Sequence, residues 1–166
     1  MQLLCFTVGD ETYAIPSRRV VEVVPLVATR PLPDAPASVR GLFVHRGRLM
    51  PLVDLASLLG RPSLRDRLST RVIVVEPSAT AGGPPGRFGV AAENVLSLCD
   101  DTDAEDRLPP IAGLAAPCLA DCLRVEGRTI QCLDADRLLH PRAWHGLPAR
   151  GGAQTTQATA DGGRQP

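Results

Sequence analysis

Cys118, Cys122 and Cys132 are the residues whose types and spacing come nearest to a chemical site in this chain of 166 residues. Thiolates on one short segment and on the strand after it are donors that zinc or another soft metal ion would take. A tetrahedral site needs a fourth ligand, and His140 and His145 are the nearby imidazoles. The spacing is not that of matched C-x2-C pairs. Cys132 also falls where the first half of the chain has Leu52, which marks it as a small core residue. The expectation is therefore no metal and no cofactor. The alternative is a small regulatory module binding a metal or small ligand through Cys118, Cys122 and Cys132.

Other chemistry is harder to assemble. There is no G-x-S-x-G, H-E-x-x-H or Walker-type glycine motif. The glycines of residues 81–86 are interrupted by Pro84 and Pro85, which remove the N–H groups of a phosphate cradle. His45 stands in a predicted strand beside Arg46 with no nucleophile in view, so it reads as a structural residue. Asp54 and Asp134 resemble a carboxylate pair, but each precedes a short helical run and reads as its N-cap. No enzyme activity and no small-molecule substrate are expected. Glu22 and Arg46 are more informative. Glu22 interrupts a run of valines, and Arg46 precedes the Gly47 turn where the second half of the chain has Glu126. A charge kept in one half only points to a role particular to that half, and the two side chains are expected to form an ion pair fixing a surface.

The elements that must position these residues are written twice. Residues 43–60, FVHRGRLMPLVDLASLLG, match residues 123–140, LRVEGRTIQCLDADRLLH, at Gly47/Gly127, Arg48/Arg128, Asp54/Asp134 and two Leu-Leu pairs. Each copy predicts a strand, a tight turn, a second strand and an aspartate that opens a short helix. Residues 3–9 and 12–16 predict another hairpin, with Ser17 as N-cap of a turn after it. Val20 to Val27 predict a strand or a short helix feeding one, and 71–77 a strand buried on both faces. The proline-rich stretch 30–36 cannot be regular. Residues 61–70 read as a solvated connector and 100–106 as an acidic loop. Trp144 follows the last helix, and residues 148–166, rich in Gly, Ala, Thr and Gln, read as a disordered tail. Short strands punctuated by Gly and Pro predict an all-β protein of two five-stranded β-barrels with a few short helices.

Composition sets the outer bounds. Hydrophobic residues make up 44%, with only three Phe, one Tyr and one Trp, so aliphatic side chains must fill the core. The 18 basic residues, all Arg, balance 18 acidic ones. A neutral chain lacks the basic surface a nucleic-acid binder needs. No apolar run reaches the ~20 residues of a membrane span and no secretory signal is evident, so a soluble, cytoplasmic protein without membrane insertion is expected.

Phe6 to Gly9, Tyr13 to Pro16, Val20-Val21-Glu22-Val23-Val24, Arg30 to Pro33, Val39 to Leu42, Arg46 to Leu55 and Leu59-Gly60, followed by Val72 to Val75 and Leu133-Asp134, together resemble the CheW family in order and spacing over residues 3–140. The resemblance implies one CheW-like domain over 1–147, with first-barrel motifs at 3–60, second-barrel motifs at 71–140 and strands able to exchange between them. It implies a non-enzymatic adaptor that couples the cytoplasmic tips of chemoreceptors to a CheA-type histidine kinase, recruited to membrane-associated receptor arrays. It places Glu22, Arg46 and Gly47 on or beside the protein-contact surface, with Val21, Val23 and Val44 as neighbours. Gly89 to Glu93 depart from the family pattern, which implies a divergent paralogue serving a motility or surface-sensing system.

Overall fold

Two-residue hairpins generate most of the architecture. The computed structural model describes residues 1–78, 86–110 and 116–139, with Leu96 described by its backbone alone. His140, Trp144, His145, the tail 148–166 and most of the glycine-proline loop 81–86 lie outside these residues. The described residues form ten strands: β1 (Gln2–Val8), β2 (Glu11–Pro16), β3 (Val20–Pro25), β4 (Val39–His45), β5 (Arg48–Asp54), β6 (Thr70–Val75), β7 (Phe88–Asp100), β8 (Ala104–Leu108), β9 (Leu119–Val125) and β10 (Arg128–Leu133). One helical turn, α1 (Leu55–Leu58), and 3-10 turns at Ser17–Arg19, Asp101–Asp103 and Ala135–Arg137 complete the described residues. The fold is all-β.

The repeated segments become the hairpins β4–β5 and β9–β10. Arg46 and Gly47 have φ of 49° and 72°, and Glu126 and Gly127 have 49° and 71°. Two successive left-handed residues make a type I′ turn, whose twist matches that of paired strands. Each hairpin ends on its aspartate: Ser57 N donates to Asp54 Oδ1 at 3.1 Å, and Asp136 N to Asp134 Oδ1 at 3.0 Å. The earlier helical turn is not capped as predicted. Pro16 occupies the N-cap and Ser17 is the first residue of the turn, because the fixed φ of proline already sets the chain's entry.

The thirteen-residue strand β7 joins everything. Residues 88–93 lie between antiparallel β6 and parallel β5, and residues 97–100 run antiparallel to β1. The register slips between these stretches, where Asn94 takes φ 41°. One half therefore reads β4–β5–β7–β6–β3, and the other β7–β1–β2–β10–β9–β8. The N-terminal hairpin lies with the C-terminal repeat, β2 running parallel to β10. The two five-stranded halves of the prediction are not separately closed. The strands form one continuous ten-stranded sheet whose end strands β3, β4 and β8 each pair on one side only. The segment after β3 reaches β4 through a single bridge, Arg30 to Leu42, instead of a ladder.

Strands β1 and β2 carry two cores because their side chains alternate. Phe6, Val8, Tyr13 and Ile15 face the larger cluster, with Phe43, Leu52, Ile73, Phe88, Val90 and, from the second repeat, Leu133 and Leu138. Leu3, Cys5 and Ala14 face a smaller cluster with Leu123, Val125 and Ile130. All three phenylalanines are buried in the larger one. At Gly89 an added Cβ would lie 2.7 Å from the Phe43 ring and from Val72, so glycine is what lets that ring reach the sheet. Asp54 is fully buried, and its Oδ2 also accepts from Leu64 N at 3.0 Å and from Ser63 Oγ at 2.5 Å. Residues 61–70 are thus not merely a solvated connector, since Leu64 enters the larger core. Residues 100–106, expected as a loop, form the last 3-10 turn before β9 and most of edge strand β8, with Arg107 at 2.9 Å from Asp101.

Candidate protein-interaction surface

The end of the first hairpin and the edge strand β3 meet through a charge cluster. On β3, Val20 and Val24 pack against the core while Val21 and Val23 point out, 39% and 37% exposed. Glu22 lies on the inward side and is half-buried. The left-handed Arg46, at the turn after β4, sends its guanidinium across to it. Arg46 Nε and Nη2 both donate to Glu22 Oε2, at 3.1 Å and 2.8 Å. His45 Nε2 is 3.2 Å from the same oxygen, but out of line for a hydrogen bond, which leaves that buried nitrogen without a partner. Glu22 is thereby the common anchor of the turn.

An apolar pair flanks the anchor. The type I′ turn sets His45 opposite Arg48 and Val44 opposite Leu49, and these outward-facing residues are 65% and 48% exposed. The structure therefore brings Glu22, Arg46 and Gly47 together and leaves Val21, Val23 and Val44 open to solvent. Sequence reasoning missed Leu49 and the place of His45. Leu49 was accessible to it, because the two-residue turn fixes which residue faces Val44. An exposed pair such as Arg46–Glu22 contributes only ~0–1 kcal/mol to folding. What it provides is a fixed cation, 73% exposed, on the turn between the outward-facing Val44 and Leu49.

A recess of about 470 Å³ opens between the β1–β2 turn and the β9–β10 hairpin, lined by Asp10, Glu11, Tyr13, Leu119, Cys122 and Arg128. Its Glu11 carboxylate is already engaged. Tyr13 Oη donates to Glu11 at 2.6 Å and Arg61 lies 2.5 Å from it, so the Glu11 carboxyl is held below its usual value. Burial, then Glu11, pushes the Tyr13 hydroxyl up to about 12.

The three cysteines of the alternative reading do not converge. Cys118 is buried in the larger core, Cys132 packs against the smaller one, and Cys122 lines the recess. Burial pushes the Cys118 and Cys132 thiols up to about 11, away from the thiolate form a metal needs. Among the described residues no three His, Cys, Asp or Glu side chains are placed to hold a metal ion. Nothing supports the metal-binding alternative.

The sheet thus has open strand edges and, at the β4–β5 turn, a fixed charge near exposed apolar side chains. The chain belongs to the CheW-like domain family, whose model matches residues 2–143. It is 34% identical to protein FrzA of Myxococcus xanthus over 117 residues, 69% of this chain and 68% of that one. It is 32% identical to chemotaxis protein CheW of Helicobacter pylori over 83 residues, half of each chain. The crystal structure of scaffolding protein TtCheW from Thermoanaerobacter tengcongensis superimposes with a TM-score of 0.71 at 19% identity, covering 86% of this chain and 89% of that one, a likeness of fold. Among the described residues no helix is long and apolar enough to cross a membrane.

Proposed function

We propose that this protein is a non-enzymatic signalling adaptor that couples chemoreceptors to a CheA-type histidine kinase. Its work is to hold the two together at a cytoplasmic receptor array. The likeness to FrzA favours a motility system over a general chemotaxis system. The observation that carries the reading is the Glu22–Arg46 anchor with Val21, Val23, Val44 and Leu49 beside it. Such a face suits protein binding: a few apolar anchors supply affinity, and a fixed charge at the rim sets orientation and partner choice. Gly47 keeps the turn that presents Arg46.

The test is isothermal titration of the cognate kinase's regulatory region and of a receptor-tip fragment into wild type and Arg46→Glu. The variant places two carboxylates side by side. Its folding stability changes by less than ~1 kcal/mol, while affinity for one of the two partners drops by about tenfold, the equivalent of ~1.4 kcal/mol. Unchanged affinity for both partners would remove this face from the account.

A further inference from the structure

Nothing in the adaptor reading uses the thiols of the smaller core, yet they are arranged as a set. Cys5 of β1 lies opposite Ser97, and Cys99 of β7 lies opposite Leu3, so the two cysteines are diagonal neighbours on one face of an antiparallel pair. Their Sγ atoms are 2.8 Å apart. Ala14 of β2 stands opposite Cys5, and Cys132 of β10 opposite Ala14, so a third thiol lies on the same face beyond the smallest side chain of the row. Cysteine alone is an ordinary small core residue. Two sulfurs this close are a different matter: their separation is under ~1 Å from the ~2.05 Å of a covalent bond, and the diagonal strand positions must draw together for it to form.

We propose that Cys5 and Cys99 are a reversible dithiol–disulfide pair that fastens the N-terminal hairpin to the shared strand β7. The oxidant class is a low-molecular-weight disulfide such as oxidised glutathione. Cys99, the less buried of the two, attacks one sulfur of the reagent as its thiolate and releases one molecule of thiol. Cys5 then gives up its proton and attacks Cys99 Sγ of the mixed disulfide, expelling the second thiol. Two protein thiols are oxidised to one disulfide, and one reagent disulfide is reduced to two thiols. Burial and the neighbouring Cys99 push the Cys5 thiol up to about 12, so Cys5 is a poor first nucleophile and acts only once a partner sulfur is beside it. The bond forms on the far side of the register slip at Asn94, the joint where β7 passes from one half of the sheet to the other. Oxidation would stiffen that joint, independently of the contact face on β3 and β4.

The experiment equilibrates the full-length protein in glutathione buffers of graded redox ratio, native and in urea, followed by alkylation, intact mass and peptide mapping. The native chain is expected to lose two hydrogens and two alkylation sites, with Cys5 and Cys99 in one linked peptide. Its midpoint should lie at a glutathione ratio about tenfold or more on the reducing side of the urea-unfolded chain, as proximity raises the local thiol concentration. Cys99→Ser should abolish the linked species and Cys132→Ser should preserve it. The cross-linked protein should also melt at a higher temperature. Five free thiols after exposure to oxidised glutathione, a link mapped to Cys132, or a midpoint unchanged by unfolding would each overturn the proposal.

Discussion

The hairpins β4–β5 and β9–β10 turn through the same left-handed pair and close on the same capping aspartate, but they are embedded differently. Asp54 is fully buried and binds the connector through Ser63 and Leu64, whereas the Asp134 side chain is 38% exposed and pairs with Arg137 at 3.3 Å. Arg46 in the first turn is replaced by Glu126 in the second. Conversely, Ala56 in the first copy is replaced by Asp136 in the second, which accepts from Ser78 N and Oγ at 2.5 Å and 2.6 Å. What the copies share is the geometry that makes a hairpin stop and turn. What they do not share is how each is tied to the rest of the molecule, and the Glu22–Arg46 pair of the proposed contact face belongs to this second category.

The comparison is most easily broken at the two caps. Asp54→Ala removes a cap worth ~1 kcal/mol and strands the buried Leu64 N–H at a further ~1–3 kcal/mol, so a loss of about 3 kcal/mol is expected in urea unfolding. Asp134→Ala should cost only the cap, ~1 kcal/mol. Equal losses would mean that the copies are not differently embedded. Gly89→Ala should cost ~1–3 kcal/mol by driving a methyl group into Phe43 and Val72, a crowding specific to the first hairpin. A variant as stable as wild type would show that this packing is loose. The turns, by contrast, should answer alike. Gly47→Ala and Gly127→Ala each hold alanine in a left-handed conformation with no atom within 4 Å of the new methyl, at ~1–2 kcal/mol apiece. A large difference between them would show that the turns are not equivalent.

The smallest effect concerns acid. Burial opposes the charge on Asp136, but the two Ser78 bonds and Arg19 outweigh it and hold the carboxyl below its ordinary 3.8. A folded value below the unfolded one means that the charged form stabilises the protein above 3.8, and that this contribution fades as pH falls through the lowered folded value. Asp136→Asn should therefore flatten the acid limb of a stability–pH profile followed by circular dichroism. A limb of unchanged slope would remove Asp136 as a tie between the halves.

Local features were readable from the chain because their causes are local. A two-residue turn with glycine, an aspartate ahead of a helical turn and the apolar run of β6 each carry their instructions within a few residues. Arg46 was readable because the repeat exposes what one copy has and the other lacks, and Glu22 because it interrupts a run of valines. The destination of the N-terminal hairpin was not, since β2 meets β10 more than a hundred positions later through backbone bonds that place little demand on side-chain type. Edge strand β8 was hidden for a related reason: paired on one side and exposed on most of its residues, it tolerates the acidic composition that reads as a loop. The cysteines show the same limit. Spacing drew the eye to Cys118 and Cys122, while the adjacent sulfurs of Cys5 and Cys99 are separated by 94 positions and meet only across strands.

On the proposed reading, the first half of the sheet holds other proteins through an arginine of the β4–β5 turn fixed by Glu22 of β3. Calorimetric titration of wild type, Arg46→Glu, Glu22→Arg and the doubly exchanged protein against the cognate kinase and receptor tip tests it most directly. Each single variant should keep its fold but lose about tenfold in affinity for one partner, the equivalent of ~1.4 kcal/mol. The double exchange, which restores the ion pair while displacing its cation, should recover only part of the loss. Four proteins binding both partners with the same affinity would contradict that reading.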